Sequence, residues 1–171
     1  MKNKSVQGSA FRDLEGIEYF YFEEDFVEKN IRCIPMIVRF KMDAAGIKLK
    51  LSEWSRFSTL EKIELATKPD EAIVSGDYHR YLANLIKKYT AQEATALQVD
   101  NDPEWKRLDN VPSLLRQQAG NFDWTISKSQ WRNLTNLQRY ALLKLCRPGH
   151  ENKNFPKAMK EFNLIPENVL N

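Results

Sequence analysis

The fold is decided by the stretch WRNLTNLQRYALLKLCRPGHENKNF, residues 131–155, which predicts a helix followed by a loop. Thr135 can accept from the first free amides of this helix, and Gln138 can reach back to the amide of Thr135, so the two form a capping box. Apolar side chains recur at helical spacing, namely at Leu134, Leu137, Tyr140, Leu142 and Leu145. One face of the helix must therefore be buried, and Pro148-Gly149 ends it.

The same arrangement occurs earlier, in WSRFSTLEKIEL at residues 54–65, where Ser58 and Glu61 form the equivalent capping box. The two stretches are offset by 77 in numbering. The identical residues at this offset are Asp25/Asp102, Lys29/Lys106, Pro35/Pro112, Arg39/Arg116, Ser52/Ser129, Trp54/Trp131, Leu60/Leu137 and Leu65/Leu142. Because the matches fall on caps, helix-starting prolines and apolar faces, they predict an internal duplication.

The sequence therefore predicts an all-α fold made of two similar helical units packed across a pseudo-two-fold. These repeat units span about 25–89 and 102–166, within one helical domain at 20–171 that follows an N-terminal arm at 1–19. Further helices are predicted to start at Pro35, near Tyr78, at Asp102-Pro103 and at Pro112, and Gly46 is predicted to follow the end of the first. The β-branched residues between 34 and 38 also allow a strand there, and residues 47–51 alternate as an extended connector does.

The aromatic run Tyr19-Phe20-Tyr21-Phe22 leads into an acidic segment. Because so many rings are costly to leave in water, Phe20, Phe22 and Phe26 are predicted to lie in the core. The alternative is that part of this segment forms a partner-binding edge.

Composition limits the classes of function. The 171 residues carry 26 basic and 23 acidic side chains, a net charge of +3, which is a mixed surface and not that of a typical nucleic-acid binder. No apolar run approaches the ~20 residues that span a bilayer, and the N-terminus does not resemble a secretory signal. Two cysteines, Cys33 and Cys146, fit free thiols in a reducing cytoplasm. We therefore expect a cytoplasmic protein that binds neither membrane nor nucleic acid.

Few residues form a pattern typical of catalysis or metal binding. Cys33, Cys146, His79 and His150 could in principle form a zinc site, but no Cys-x2-Cys pair is present. A Cys-His nucleophile would need a third, orienting group. Six glycines include no phosphate-binding loop, and the cations of the second long helix are sparse for a DNA-binding helix. We expect no enzyme, no metal and no cofactor.

The loop at residues 147–154 is the least similar part of the two predicted repeats. Its counterpart, residues 70–77, has a different composition. A polar loop stiffened by Pro-Gly between two helices is a candidate partner-binding surface. The candidate residues are Arg147, His150, Asn152, Lys153 and Asn154, with Arg39 as a further candidate. The alternative is that the asparagines and the histidine only cap the adjoining helices.

Several strings resemble the conserved nitrate-reductase-associated protein family. They are FEEDFVE at 22–28, RCIPMIVRFK at 32–41, GIKL at 46–49 with Trp54, and the segment from Leu134 to Phe155, so the resemblance covers about residues 20–162. It implies an accessory, chaperone-type role in bringing a molybdenum-dependent assimilatory nitrate reductase to its active state, and it carries over no catalytic residues.

The first hypothesis is thus a non-enzymatic factor that binds nitrate reductase or an assembly intermediate. The alternative is a carrier of a small molecule, cofactor precursor or metal, using Cys33, Cys146, His150 and Arg39. A DNA-binding regulator is a third hypothesis.

Overall fold

The computed structural model describes residues 11–23 and 33–166, apart from the side chains of His150 and Glu151. In these residues the chain is mainly α-helical, as predicted, with one small two-stranded sheet. The chain divides into two compact units at Val99–Asp100, here called unit 1 and unit 2. The two predicted repeats fall one in each unit.

The described residues of unit 1, 11–23 and 33–99, form five α-helices and both strands. They are α1 (Met36–Ala45), β1 (Ile47–Lys48), α2 (Leu51–Trp54), α3 (Thr59–Thr67), α4 (Asp70–Val74), α5 (Asp77–Thr90) and β2 (Thr95–Ala96). Helix α1 packs against α3, α4 and α5, and β1 pairs antiparallel with β2, with Ile47 opposite Ala96. The fully buried residues of this core are Val38, Ile47, Trp54, Leu65, Ala66, Tyr78, Leu82 and Ile86.

Helix α1 begins where a distant carboxylate supplies the cap. Pro35 precedes the first helical residue and offers no side-chain acceptor. Instead Glu23, only 6% exposed, accepts from the Met36 amide at 2.6 Å and from the Phe20 amide at 3.4 Å. A carboxylate is favoured there by the unpaired amides and the helix dipole. The helix prediction is therefore confirmed over the strand, with Pro35 one position before the helix.

Gly46 ends α1 in the left-handed conformation, at φ 69°. A Cβ atom at this position would lie 2.9 Å from Val99 Cγ2 and 3.1 Å from the Leu97 carbonyl oxygen. Only glycine fits both the backbone angle and the space.

The aromatic run packs as predicted, since Phe20 and Phe22 are buried with their ring centroids 5.4 Å apart. Phe26 lies outside the described residues. Phe11, from the segment predicted as an arm, is also buried, with its ring centroid 6.4 Å from that of Trp54.

The capping box at Ser58 and Glu61 is confirmed, and its carboxylate has a second role. Glu61 also accepts from Lys88 Nζ and from Tyr89 Oη, each at 2.8 Å, which joins α3 to α5. Burial acts to raise the pKa of Glu61, but the hydrogen bonds from Lys88, Ser58 and Tyr89 outweigh it and lower the pKa to about 2. Ionised Glu61 is therefore part of the packing of α3 on α5.

The depressed pKa of Glu61 makes stability depend on pH. Its contribution is complete above the ordinary value of 4.5 and is lost as pH falls towards about 2. We expect Glu61→Gln to remove part of this acid destabilisation and to keep the cap, because Gln138 provides it in unit 2. Urea unfolding midpoints between pH 5 and pH 2 measure the effect, with Glu71→Gln, an exposed carboxylate on α4, as the control. Identical pH profiles for wild type and Glu61→Gln would contradict the assignment.

As far as residue 166, unit 2 forms four α-helices, α6 (Ser113–Gly120), α7 (Lys128–Asn133), α8 (Asn136–Leu145) and α9 (Phe155–Glu161), with 3-10 turns at Glu104–Lys106 and His150–Asn154. Helix α8 packs against α6, α9 and both 3-10 turns. The Thr135/Gln138 capping box is confirmed at its start. Helix α7 comes just before it and ends at Leu134, which is extended, and residues 150–154 of the predicted loop form a 3-10 turn.

The segment before α6 is held by side chains of α7 and α8. Trp131 Nε1 donates to the Arg107 carbonyl at 2.8 Å, and Arg139 Nε donates to the Trp105 carbonyl at 2.7 Å. The predicted helix from Asp102 is wrong: only the turn Glu104–Lys106 forms there, and Asp102 pairs with Arg107 at 2.6 Å. The turn ends because Arg107 is extended, at φ −77° and ψ 121°, and the two side-chain hydrogen bonds hold the segment in this conformation.

Many residues offset by 77 have the same role in the two units. Pro35 and Pro112 precede α1 and α6, and Gly46 and Asp123 both have positive φ. The buried pairs are Ile34/Val111, Val38/Leu115, Leu49/Ile126, Trp54/Trp131, Phe57/Leu134, Lys62/Arg139, Leu65/Leu142, Tyr78/Phe155, Leu82/Met159 and Leu85/Phe162. One identity does not correspond, because Leu60 is 78% exposed and Leu137 only 5%.

Candidate functional site

The candidate loop follows α8 and leads into α9. Arg147 and Lys153 are exposed, Asn152 is half-buried and Asn154 is buried, at 3% exposure. The side chain of His150 lies outside the described residues. Asn154 stands at the residue before α9, yet its side chain makes no capping hydrogen bond. The interpretation as a helix cap therefore does not hold for Asn154.

A chain of side-chain amides connects the loop to α6. Gln118 Nε2 donates to Asn152 Oδ1 at 3.2 Å, and Asn121 Nδ2 donates to Gln118 Oε1 at 3.3 Å. Gln118 and Asn152 are 34 residues apart, so the contact is tertiary. Amide groups both donate and accept, and such a chain can extend to the peptide groups of a partner.

Aromatic rings adjoin these amides. The rings of Phe122 and Trp124 stack with centroids 4.6 Å apart and planes at 14°. Phe122 also lies 6.0 Å from Phe155, the neighbour of Asn154 in the chain. Between the stacked rings Asp123 adopts φ 58°, which turns the chain sharply. Since Phe122 is 39% exposed, part of the ring stack is available at the surface.

We call Gln118, Asn121, Phe122, Trp124, Asn152 and Asn154 the amide–aromatic surface. All six belong to unit 2. Its unusual member is Asn154, whose Oδ1 has no hydrogen-bond partner within the described part of the chain. Leaving a buried amide oxygen unpaired costs about 1–3 kcal/mol. Trp54 Nε1 in the core of unit 1 also lacks a partner within the described residues, so what sets Asn154 apart is its place in the loop that differs between the two units.

Sequence reasoning found Asn152 and Asn154 but missed Gln118, Asn121, Phe122 and Trp124. The string QQAGNFDW at residues 117–124 could have indicated them, because polar and aromatic residues occupy the end of α6 and the turn after it. A comparison of the two units at the offset of 77 points to the same positions, because the corresponding residues of unit 1 are of different types. The residues of unit 1 that correspond to Gln118, Phe122, Trp124, Asn152 and Asn154 are Lys41, Ala45, Ile47, Ser75 and Asp77.

These counterparts in unit 1 have different surroundings. Lys41 is buried and its Nζ donates to the carbonyls of Ala66 and Lys68 at 2.7 and 2.6 Å, at the end of α3. Burial lowers the pKa of Lys41, and the charge of Asp70 partly opposes this. Ile47 lies in the core, and Asp77 is exposed and paired with Ser75 and Arg80. The two units thus differ at the amide–aromatic surface and match in the scaffold.

Arg39, the further candidate, lies in unit 1. Its Nε donates to the Ile34 carbonyl at 2.8 Å, next to the start of α1, and the side chain is half-buried. These contacts give Arg39 a role in the fold of α1. The amide–aromatic surface consists of residues of unit 2.

The thiol and imidazole candidates whose side chains are described are Cys33, His79 and Cys146. Cys146 is 5% exposed, and burial raises the pKa of its thiol to about 12, so it is protonated at neutral pH. His79 Nδ1 lies 2.9 Å from the Ala45 carbonyl, and Cys33 is a half-buried thiol in unit 1. Over residues 11–23 and 33–166, no three His, Cys, Asp or Glu side chains form a metal-binding group. Nor does any described helix have the length and apolar character to cross a bilayer.

Comparison with known proteins gives one match. Neither the curated proteins nor the solved structures include one that matches this chain. A family model described as conserved nitrate reductase-associated protein matches residues 19–162, which cover most of each unit and the whole amide–aromatic surface. With so much of its length matched, the chain belongs to the conserved nitrate reductase-associated protein family.

Proposed function

We propose that this protein is a non-enzymatic accessory factor of a molybdenum-dependent assimilatory nitrate reductase. It acts in the cytoplasm by binding the reductase or an assembly intermediate, and the amide–aromatic surface is the contact. Family membership supports the association with nitrate reductase. The site supports a binding role, because its side chains are amides and aromatic rings, groups that are suited to a protein surface.

The observation that carries the proposal is Asn154. Its amide is buried and its Oδ1 has no acceptor role in the described residues, although Asn152, two positions earlier, accepts from Gln118. Because this oxygen is closed off from solvent in the free chain, a partner N–H group satisfies it only if binding exposes it, and the hydrogen bond then returns the free energy lost on burying it. Binding energy would then depend on a group that folding alone leaves unsatisfied.

We further infer that the two units arose by duplication and that unit 2 acquired the binding surface. The shared caps, buried residues and positive-φ residues at the offset of 77 support the common origin. The pair Asp77 and Asn154 shows the divergence, because the first is exposed and paired and the second is buried without a partner. On this view unit 1 retains the ancestral scaffold.

Deletion of the gene tests the role in the host. In a strain grown on nitrate, we expect reductase activity to fall while the amount of reductase polypeptide stays the same, and the isolated reductase to contain less molybdenum cofactor. Wild-type protein supplied in trans should restore both. Normal activity and normal cofactor content in the deletion strain, with no enrichment of reductase on the tagged protein, would reject the proposal.

A further inference from the structure

We propose that the amide–aromatic surface binds an acidic polypeptide segment of the partner. Three exposed lysines of α9 and of the 3-10 turn before it, Lys153, Lys157 and Lys160, recognise the carboxylates of this segment. This inference rests on the proposed function, because it specifies the chemistry of the partner at the same site. It follows from the distribution of charge, from the geometry of α9 and from the kind of atom that Asn154 leaves unpaired.

The charge of the chain is not evenly distributed. Residues 1–99 hold fifteen basic and fifteen acidic side chains, and four more acidic side chains lie within residues 100–109. From residue 110 to residue 166 there are nine basic side chains and only three acidic ones, Asp123, Glu151 and Glu161. Residues 110–166, which carry the amide–aromatic surface, are therefore strongly basic, although the net charge of the whole chain is only +3.

Three of these cations lie along the exposed face of α9 and of the 3-10 turn before it. Lys153, Lys157 and Lys160 are spaced by four and three residues, which places them on one side of the 3-10 turn and α9. The opposite side is buried through Phe155, Ala158, Met159 and Phe162. We call Lys153, Lys157 and Lys160 the lysine stripe. For Lys157 and Lys160 no ion pair is formed with any described residue.

The lysine stripe and the amide–aromatic surface lie close together, because some of their residues are neighbours in the sequence. Lys153 stands between Asn152 and Asn154, and Lys157 follows two residues after Phe155, whose ring contacts Phe122. A segment that lies on the amides is therefore within reach of the lysine stripe. Carboxylates are the complementary charge for it, and attraction of this kind mainly accelerates association and selects the partner.

The unpaired atom distinguishes a polypeptide from a nucleic acid. Asn154 Oδ1 is an acceptor, so its ligand must bring an N–H or O–H group. The outer surface of a nucleic-acid duplex presents mainly phosphate oxygens, which only accept, whereas every peptide group except that before proline offers an N–H. Gln118 and Asn152 add amides that can pair with both sides of a peptide group. These groups favour a polypeptide that carries Asp or Glu.

Charge reversal on the lysine stripe provides the test. With purified reductase apoenzyme as the probe, we expect Lys157→Glu with Lys160→Glu to weaken binding by about tenfold or more, and wild-type binding to weaken by a similar factor between low and physiological salt. The control is Lys48→Glu with Lys128→Glu, an equal charge change at exposed lysines of β1 and α7. It should bind within about threefold of wild type. Because all four lysines are exposed, thermal midpoints should change little.

Each outcome has one reading. If the reductase binds the Lys157→Glu/Lys160→Glu variant as tightly as wild type, and if high salt does not weaken wild-type binding, the proposal of an acidic segment is rejected. The proposed function is unaffected by this result. No complex with the wild-type chain overturns the proposed function and this inference with it. Binding of a 30-base-pair DNA duplex as tight as that of the reductase, and lost in the same variant, assigns the lysine stripe to nucleic acid and overturns the inference.

Discussion

Replacing Arg139 by Met is expected to destabilise the protein by about 3 kcal/mol or more, the largest effect of a single substitution in unit 2. The buried guanidinium donates to the carbonyls of Trp105 and Leu134 and, at 2.5 Å, to Asn136 Oδ1. It also lies over the Trp131 ring, 5.8 Å from the centroid. Met retains the length of the side chain but leaves these buried acceptors unpaired. Urea unfolding followed by circular dichroism and tryptophan fluorescence measures the loss.

The control is Lys62→Met at the equivalent position of unit 1. The Lys62 ammonium lies 5.3 Å from the Trp54 ring centroid and makes no hydrogen bond within the described residues. Burial lowers the pKa of Lys62, which shows that the charged form is costly there. We therefore expect Lys62→Met to change stability by less than about 1 kcal/mol, in either direction. Equal losses for the two variants would show that the hydrogen bonds of Arg139 do not hold unit 2 together.

Replacing Asn154 by Leu is expected to separate binding from stability. Leu has nearly the shape of Asn and removes the unpaired buried oxygen, so the thermal midpoint should be unchanged or higher. Binding of the reductase apoenzyme should weaken by about tenfold or more, which corresponds to roughly 1.4 kcal/mol, because an N–H group of the partner loses its acceptor. Calorimetric titration and thermal unfolding on the same preparation measure both quantities.

Asp77→Leu is the matched control at the corresponding position of unit 1. Asp77 is exposed and pairs with Ser75 and Arg80 at the start of α5. Its loss should lower stability slightly and leave reductase binding unchanged. If Asn154→Leu instead lowers the midpoint and binds the reductase as wild type does, Asn154 belongs to the scaffold.

Local signals in the sequence predicted the parts of the fold that depend on neighbouring residues. Ser58/Glu61 and Thr135/Gln138 are capping pairs three residues apart, so each can be found without knowledge of the rest of the chain. The burial of Trp54 and Trp131 followed from their positions in the repeated pattern, and the structure confirms both. Gly46 could be assigned to the end of α1 for the same reason.

Tertiary contacts decide the parts that were missed. The two-residue strand at Thr95–Ala96 forms because Ile47–Lys48 lies beside it, and the segment itself has no strand pattern. The helix predicted from Asp102 ends after one turn because Arg107 is extended, and Trp131 and Arg139 hold this segment from more than twenty residues away. Glu23 caps α1 from 13 residues before Met36, a distance at which no spacing rule applies.

Only part of the candidate site could be predicted from the sequence, because the rest depends on tertiary contacts. Composition identified the polar loop containing Asn152 and Asn154, because Pro-Gly and repeated amides mark an exposed connection. The partner of Asn152 is Gln118, 34 residues away, and the stack of Phe122 on Trp124 depends on the turn at Asp123. The burial of Asn154 without a partner is visible only once α9 is packed on α8.

The central claim is that this chain binds nitrate reductase directly through unit 2. Calorimetric titration of the purified chain into purified reductase apoenzyme from the same host tests it most directly. The account predicts a saturable, stoichiometric complex that Asn154→Leu weakens by about tenfold or more and that Asp77→Leu does not weaken. Absence of binding by the folded wild-type chain, or equal binding by both variants, would contradict it.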